Sequence, residues 1–217
     1  MTSTKPLDQI RAELFSSFDQ HEWVNYDRLT DWLRETDIAS SALKAGDMAP
    51  DFLLPDWEGR LVSSARMREK GPLVVSFYRG GWCPFCTSEL QALHGARAAF
   101  DEAGATLVVI SPDTMHFPRD LRREKGLDLT LLSDVDYGVA ISYGLLFPVP
   151  EDVRTHYLER GVDIGARHGS PVTMLPVPAT YVVRSDGRIA SAFVDVDFTR
   201  RQEPEAILAA VRGAVRV

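Results

Sequence analysis

The two cysteines of this chain, Cys83 and Cys86, lie three positions apart, and the sequence around them constrains the fold strongly. Residues 72–78 form an apolar, β-branched and aromatic run without the alternation of a half-exposed strand, which predicts a central buried strand. From about residue 83 to residue 103, apolar side chains recur at helical spacing. The Cys-x-x-Cys pair is therefore predicted at a strand-to-helix junction.

A second apolar run, residues 105–110, follows that helix and completes a strand–helix–strand crossover, which joins parallel strands with a right-handed connection. Residues 129–132 are typical of an edge strand, and residues 180–194 of a hairpin. Residues 204–212 predict a closing helix that Gly213 ends. The fold class is α/β, with a central mixed sheet flanked by helices.

The first 45 residues predict two amphipathic helices, because apolar residues recur there at helical spacing. Gly46 and Pro50 end this pattern. We therefore divide the chain into a helical N-terminal extension, residues 1–45, and a core domain, residues 46–217. The extension is interpreted as a cap on the core or as a dimer surface.

Two further segments of the core domain have weaker patterns. Residues 49–62 predict a short hairpin with a tight Glu-Gly turn. Residues 147–176 are interrupted by glycine and proline, and predict one helix near residues 151–159 followed by a loop over the active site.

The composition excludes several classes of partner. A net charge of −7 argues against nucleic acid and anionic membranes as partners. The N-terminus lacks the apolar core of a signal peptide, and no apolar run approaches the ~18 residues of a membrane helix. We expect a cytoplasmic protein, in which a disulfide between Cys83 and Cys86 is transient and catalytic.

The position of the thiols favours their ionisation. A helix N-terminus presents unpaired N–H groups and the positive end of the dipole, which lower a thiol pKa. Pro84 suits the first turn of such a helix, and the glycines at 80 and 81 allow a sharp turn off the strand. Arg79 adds a permanent cation beside the thiols.

Two other interpretations of the cysteines are weaker. A zinc site needs two further ligands, and the histidines are scattered without ligand spacing. Two inert buried cysteines do not explain the Gly-Gly-Trp segment and helix start around them. We therefore expect no metal and no other cofactor.

Several motifs resemble the peroxiredoxins of the alkyl hydroperoxide reductase and thiol-specific antioxidant family, within the thioredoxin-fold superfamily. Residues 46–52 match the family's Gly-x-x-Ala-Pro-Asp-Phe opening, and Phe77-Tyr78, Ser111-Pro112-Asp113 and Leu132-Ser133-Asp134 match later segments. The resemblance covers residues 46–146 and 177–213, and implies a thioredoxin-like fold.

The active-site segment departs from the family pattern. Counting from Phe77-Tyr78, Cys86 takes the place of the family's peroxidatic cysteine and Cys83 that of its Thr. Arg79 stands where the family has Pro, and Pro178 where it has its peroxide-orienting Arg. Glu89 keeps the family's acidic residue. We predict that Arg79 takes over the duty of the lost arginine.

The resemblance implies a peroxidase for hydrogen peroxide or organic hydroperoxides, in which Cys86 attacks and Cys83 resolves to a disulfide. The first alternative is a thioredoxin-like thiol-disulfide oxidoreductase acting on protein disulfides, in which an exposed Cys83 attacks beside a cis-Pro178. The second is a non-enzymatic redox sensor.

The remaining predicted site residues bind substrate: Tyr78, Trp82, Thr87, Glu89 and Pro178. The implied partners are a peroxide, a thioredoxin-like or glutaredoxin-like reductant, and a second copy of the chain in a homodimer. The charged residues 195–203 are interpreted as a salt-bridged cap at the start of the last helix, with Glu203 near its N-terminus.

Overall fold

The strands of the protein form a five-stranded central sheet and two small two-stranded sheets. A computed structural model describes residues 5–215. Residues 1–4, at the start of the predicted N-terminal extension, and residues 216–217, at the end of the predicted core domain, lie outside it. In chain order the strands are β1 (Leu53–Pro55), β2 (Leu61–Ser63), β3 (Leu73–Phe77), β4 (Thr106–Ser111), β5 (Thr130–Ser133), β6 (Leu146–Pro148), β7 (Met174–Pro176), β8 (Ala179–Val183) and β9 (Ile189–Val194).

Helices cover both faces of the central sheet and also precede it. They are α1 (Leu7–Ser16), α2 (Gln20–Glu35), α3 (Ser64–Arg68), α4 (Pro84–Gly95), α5 (Arg97–Glu102), α6 (His116–Lys125), α7 (Gly138–Ser142), α8 (Glu151–Glu159), α9 (Ile164–His168) and α10 (Pro204–Val215), with a 3-10 turn at Ile38–Ser41. Within residues 5–215, no helix is both long and apolar enough to cross a bilayer.

The central sheet is mixed, in the order β5-β4-β3-β8-β9. β3 pairs in parallel with β4, and β4 with β5, whereas β8 runs antiparallel to both β3 and β9. The predicted crossover, edge strand and hairpin are confirmed. β3 lies at the centre, so the loop that follows it starts from the most buried strand of the sheet.

Successive side chains of β3 point to opposite faces of the sheet, and each face packs into its own hydrophobic layer. Val75 and Phe77 pack into the larger layer. Val74 and Tyr78 point to the opposite face and pack in the same cluster as Cys83 and Cys86. The thiols therefore lie against the sheet, inside a hydrophobic layer.

Three sequence predictions need correction. The helix after the cysteines is interrupted at Ala96, where α4 ends and α5 follows. α10 continues through Gly213 to Val215, because one glycine costs a helix only ~1 kcal/mol and its apolar face is buried. Residues 160–176 are not a plain loop: they contain α9 and β7, which pairs with β6.

The two predicted N-terminal helices are confirmed, and both have defined starts. Asp19 and Glu22 form a reciprocal capping box at the start of α2. At the start of α1, the Leu7 N–H donates to the carboxylate of Glu203 at 2.7 Å. Glu203 directly precedes α10, as predicted, and its carboxylate in addition caps α1.

Substitution of Gly144 by alanine is expected to destabilise the fold by about 2 kcal/mol or more, because Gly144 has a φ of +69° and an added Cβ would lie 2.0 Å from the Ser41 carbonyl oxygen. Gly213→Ala is the control: no atom lies within 4 Å of its added Cβ, and a stabilisation of up to about 1 kcal/mol is expected. Denaturant unfolding of both variants measures the two changes. A Gly144→Ala protein as stable as the wild type would contradict the first expectation.

Candidate active site

The loop between β3 and α4 turns sharply at Gly80. Its φ is +144°, and an added Cβ would lie 2.4 Å from Nε1 of Trp82. The Gly81 N–H donates to Asp113 at 3.1 Å, and Asp113 accepts two further bonds from the guanidinium of Arg167 in α9. This buried ion pair fixes the loop against the end of β4.

Both cysteines lie in the first turn of α4. Cys83 is the N-cap, Pro84 is the first helical residue, and Cys86 follows two residues later. Both thiols are free and 0% exposed. The sequence-based expectation of an exposed Cys83 is therefore wrong, because Cys83 packs with Phe85 and Cys86 in a hydrophobic cluster, although Pro84 between them is exposed.

Arg79 lies beside Cys83. Its Nη2 is 3.7 Å from the Cys83 sulfur, and its Nη1 donates to the Tyr157 hydroxyl at 3.0 Å. The guanidinium carbon lies 4.1 Å from the ring centroid of Phe198 and 4.8 Å from that of Trp82. Arg79 is only 3% exposed, and no carboxylate among residues 5–215 forms an ion pair with it. Aromatic faces surround this cation, so its nearest source of negative charge is a thiolate.

Arg201 lies beside Cys86. Its Nη2 donates to the Cys86 sulfur at 3.1 Å, and its Nε donates to the Glu89 carboxylate at 2.5 Å. The side chains of Arg201 and Glu89 are 4% and 2% exposed. The second carboxylate oxygen of Glu89 accepts from Ser76 and Thr180, each at 3.4 Å.

These side chains place a net positive charge in the buried site. Arg79 and Arg201 contribute two positive charges and ionised Glu89 one negative charge. Burial raises the pKa of Glu89, and the ion pair with Arg201 opposes that effect. One negative charge on the thiol pair would neutralise the remaining positive charge of the site.

The surroundings of the two thiols favour Cys83 as the bearer of that negative charge. Burial opposes its ionisation, but the hydrogen bond from Cys86 and the guanidinium groups of Arg79 and Arg201 hold the pKa of Cys83 well below its usual value. Burial and the neighbouring Cys83 raise the pKa of Cys86 well above its usual value. The opposite shifts follow from the contact between the two thiols, because a negative charge on one disfavours a second charge on the other, whereas both guanidinium groups favour ionisation of either thiol.

The other predicted site residues differ in how close they lie to the thiols. Tyr78 packs in the same cluster as the cysteines, and burial raises the pKa of its phenol. Trp82 packs against Tyr157 with tilted rings and a centroid distance of 4.9 Å. The Thr87 hydroxyl donates to the Pro84 carbonyl at 3.0 Å, within its own helix, and contributes no hydrogen bond to a sulfur.

Pro178 corrects one further expectation. It immediately precedes β8, whose first residue, Ala179, pairs with Phe77 at the end of β3. Among residues 5–215 every peptide bond is trans, so the predicted cis-Pro178 is wrong. Over the same residues, no group of three or more metal-ligating side chains occurs.

Sequence reasoning missed three residues of the site: Arg201, Tyr157 and Phe198. Arg200 forms the predicted ion pairs with Asp195 and Asp197, but Arg201, the next residue, turns inward to Glu89. Nothing in the local sequence shows that the Arg201 side chain is buried whereas that of Arg200 is exposed. Tyr157 lies in α8, which was predicted as a helix without a role.

Replacement of Arg79 by methionine is expected to raise the pKa of Cys83 by at least about one unit, because the uncompensated cation is removed while burial remains. The thiolate is the reactive form, so alkylation of the wild type should slow only as the pH falls through the lowered pKa. In the variant, alkylation should slow at higher pH, and at neutral pH it should be about tenfold slower.

The pH dependence of iodoacetamide alkylation measures this change. Arg122→Met is the matched control, because Arg122 stacks on Trp57 at 4.8 Å and contacts neither thiol. An unchanged pH profile in Arg79→Met would refute the role of Arg79.

Replacement of Arg201 by methionine is expected to cost about 3–5 kcal/mol of stability, because Glu89 is left as an unpaired buried carboxylate. Adding Glu89→Gln should recover most of that loss, which denaturant unfolding would measure. Arg200→Met is the control, and its exposed ion pairs predict a cost of about 1 kcal/mol or less. Equal losses for Arg200→Met and Arg201→Met would contradict this account.

Comparison with known proteins identifies relatives of this chain. The AhpC/TSA family matches residues 45–192. This range includes residues 147–176, which the sequence resemblance left outside the common core. A putative peroxiredoxin of Mycobacterium tuberculosis is 32% identical over 160 residues, covering 74% of this chain and 90% of the relative.

Two further comparisons extend this result. A chloroplastic peroxiredoxin Q of Oryza sativa is 33% identical over 116 residues, or 54% of this chain and 51% of the relative, so the chain spans about half the length of that protein. The solved structure of a peroxiredoxin-like protein from Aquifex aeolicus superposes with a TM-score of 0.64, covering 80% of this chain and 89% of its own, at 16% identity. This last likeness shows the fold. The chain thus has the thioredoxin-like fold and belongs to the AhpC/TSA family.

Proposed function

We propose that this protein is a thiol-dependent peroxidase that reduces hydrogen peroxide or organic hydroperoxides through a Cys83–Cys86 disulfide. The observation that carries the proposal is the buried guanidinium of Arg79, 3.7 Å from the Cys83 sulfur and without a carboxylate partner among the described residues. Such a cation stabilises a thiolate, which is the nucleophile that cleaves a peroxide bond. Membership of the family supports the same activity.

We assign the attack to Cys83. The sequence resemblance favours Cys86, which takes the position of the peroxidatic cysteine. The electrostatics favour Cys83, because its pKa is lowered and that of Cys86 is raised. Cys83 is also the N-cap of α4, where the positive end of the helix dipole favours an anion.

In the first step, the Cys83 thiolate attacks one oxygen of the hydroperoxide with an electron pair, and the O–O bond breaks. Cys83 is oxidised to a sulfenic acid. The second oxygen leaves as hydroxide or alkoxide and takes a proton from the Cys86 thiol, which gives water or an alcohol. Cys86 is suited to donate because its raised pKa keeps it protonated until this step.

In the second step, the Cys86 thiolate attacks the sulfenic sulfur, and hydroxide leaves as the disulfide forms. Arg201, at 3.1 Å from the Cys86 sulfur, stabilises this second thiolate. A dithiol of the thioredoxin or glutaredoxin type then reduces the disulfide and is itself oxidised. Glu89 acts as a positioning residue, because it holds Arg201 in place.

We assign Tyr78 and Trp82 to the binding of the peroxide. Each has a buried polar atom without a hydrogen-bond partner in the described chain: the Tyr78 hydroxyl and Nε1 of Trp82. These donors are free to bond peroxide oxygens. Thr87 and Pro178, which the sequence also predicted to bind substrate, make no hydrogen bond to either sulfur.

The alternative functions use the same thiols. A protein-disulfide oxidoreductase also needs a Cys83 thiolate, but both sulfurs are fully buried, which disfavours a protein substrate. The thiol of a redox sensor is typically accessible to solvent, whereas Cys83 and Cys86 are both fully buried. We further propose a cytoplasmic location and a homodimer, on the grounds of the sequence and the family resemblance.

Single cysteine variants test the peroxidase assignment. In Cys83→Ser, oxidation by hydrogen peroxide should fall at least about tenfold, because burial still opposes ionisation of the remaining thiol, which lies beyond the N-cap of α4. In Cys86→Ser, one turnover should still occur and leave a sulfenic acid on Cys83, which dimedone trapping and mass spectrometry detect. Neither variant should turn over repeatedly with a dithiol.

Two results would count against this proposal. A sulfenic acid found on Cys86 in Cys83→Ser, formed at the wild-type rate, would transfer the attack to Cys86. A wild-type protein that consumes peroxide no faster than free cysteine at the same pH would exclude the peroxidase function.

A further inference from the structure

The two N-terminal helices lie over the start of the helix that carries the thiols. We call residues 7–35, which comprise α1 and α2, the N-terminal cover. Phe15 and Phe18 of the cover contact Phe85, the residue between the two cysteines, with centroid distances of 5.5 and 6.0 Å. Phe85 is only 5% exposed as a result.

The cover also reaches the aromatic cage around Arg79. Tyr26 packs on Phe198 with a centroid distance of 5.7 Å, and Phe198 in turn stacks on the Arg79 guanidinium. The cover therefore packs on two aromatic residues of the thiol site, Phe85 and Phe198. Its aromatic side chains also contact one another, since Phe15 stacks on Trp23 at 4.9 Å.

Specific polar contacts hold the cover in this position. Arg11 donates to Asp197 and to the Thr199 hydroxyl, each at 2.7 Å. Glu203 accepts from the first N–H of α1. These anchors lie between β9 and α10, in the segment that also supplies Arg201 and Phe198.

A covered thiol pair discriminates between substrates by size. Disulfide exchange requires the thiolate to approach a disulfide sulfur directly, so the backbone around that disulfide must reach the helix start. Phe15, Phe18 and Tyr26 occupy the surface on which such a backbone would lie. Hydrogen peroxide has only two heavy atoms, and the peroxide end of a small organic hydroperoxide is equally narrow, so either needs only a small local opening.

We propose that the N-terminal cover determines the substrate class of this site: it admits small hydroperoxides to Cys83 and excludes protein disulfides. The proposal rests on the peroxidase function proposed above and gives its specificity. A protein dithiol is excluded in the same way, so the cover must also be displaced before such a reductant restores the disulfide.

A variant with a loosened cover tests this proposal. Arg11→Gln combined with Phe18→Ala removes one anchor and one contact with Phe85 and leaves every residue around the thiols unchanged. Glu13→Gln is the matched control, because Glu13 lies on the same helix and its ion pair with Lys5 is exposed. Each full-length protein is reacted with iodoacetamide, with a maleimide on a long polyethylene glycol chain, with hydrogen peroxide and with insulin.

In the loosened variant, the reactions with the polymer maleimide and with insulin should accelerate at least about tenfold. The reactions with iodoacetamide and hydrogen peroxide should change less than about threefold. Glu13→Gln should match the wild type with all four probes. Should the double variant fail to unfold cooperatively, Arg11→Gln alone is measured with the same probes.

Equal acceleration with small and large probes would overturn the proposal, because the cover would then control access without selecting by size. Unchanged rates with the large probes would overturn it as well. The alkylation measurements do not depend on peroxidase activity. A wild type that ignores peroxide but alkylates in a size-dependent manner would therefore refute the proposed function and leave the role of the cover standing.

Discussion

The site depends on a buried guanidinium that has no carboxylate partner among the described residues. Arg79 is 3% exposed and is enclosed by the rings of Trp82, Tyr157 and Phe198. A desolvated cation in such surroundings is costly unless a negative charge lies close to it. Cys83 is the ionisable group that supplies this charge. Three elements hold these rings: the β3–α4 loop, α8 and the segment after β9. All three are thus coupled to the ionisation state of one sulfur.

Much of the fold could be predicted from local patterns. The buried run of β3, the helical spacing after Cys86 and the apolar run of β4 define the crossover, and each reflects side-chain burial within one element. The pairing of β6 with β7 was missed, because both strands have three residues and contain a proline, which is too short a segment for any periodicity. Gly213 was misread as a helix end because the burial of α10 outweighs a single unfavourable residue.

The site itself was only half predictable. Cys83, Cys86 and Arg79 are adjacent in sequence, and the strand-to-helix junction brings them together. Arg201 is 112 residues from Glu89, and its inward orientation follows from tertiary packing alone. The family pattern predicted that one arginine, Arg79, replaces the one lost at Pro178. The structure instead has two, and each lies beside a different thiol.

The position of Arg79 also affects the equilibrium between the dithiol and the disulfide. Oxidation removes the thiolate and leaves the guanidinium without its negative partner, so the oxidised form loses an interaction that the reduced form keeps. A dithiol stabilised in this way has a less negative reduction potential. A Cys83–Cys86 disulfide would therefore be a stronger oxidant than the same disulfide without this cation, and easier for a thiol reductant to reduce. The same side chain that makes Cys83 reactive thus also favours its return to the reduced state.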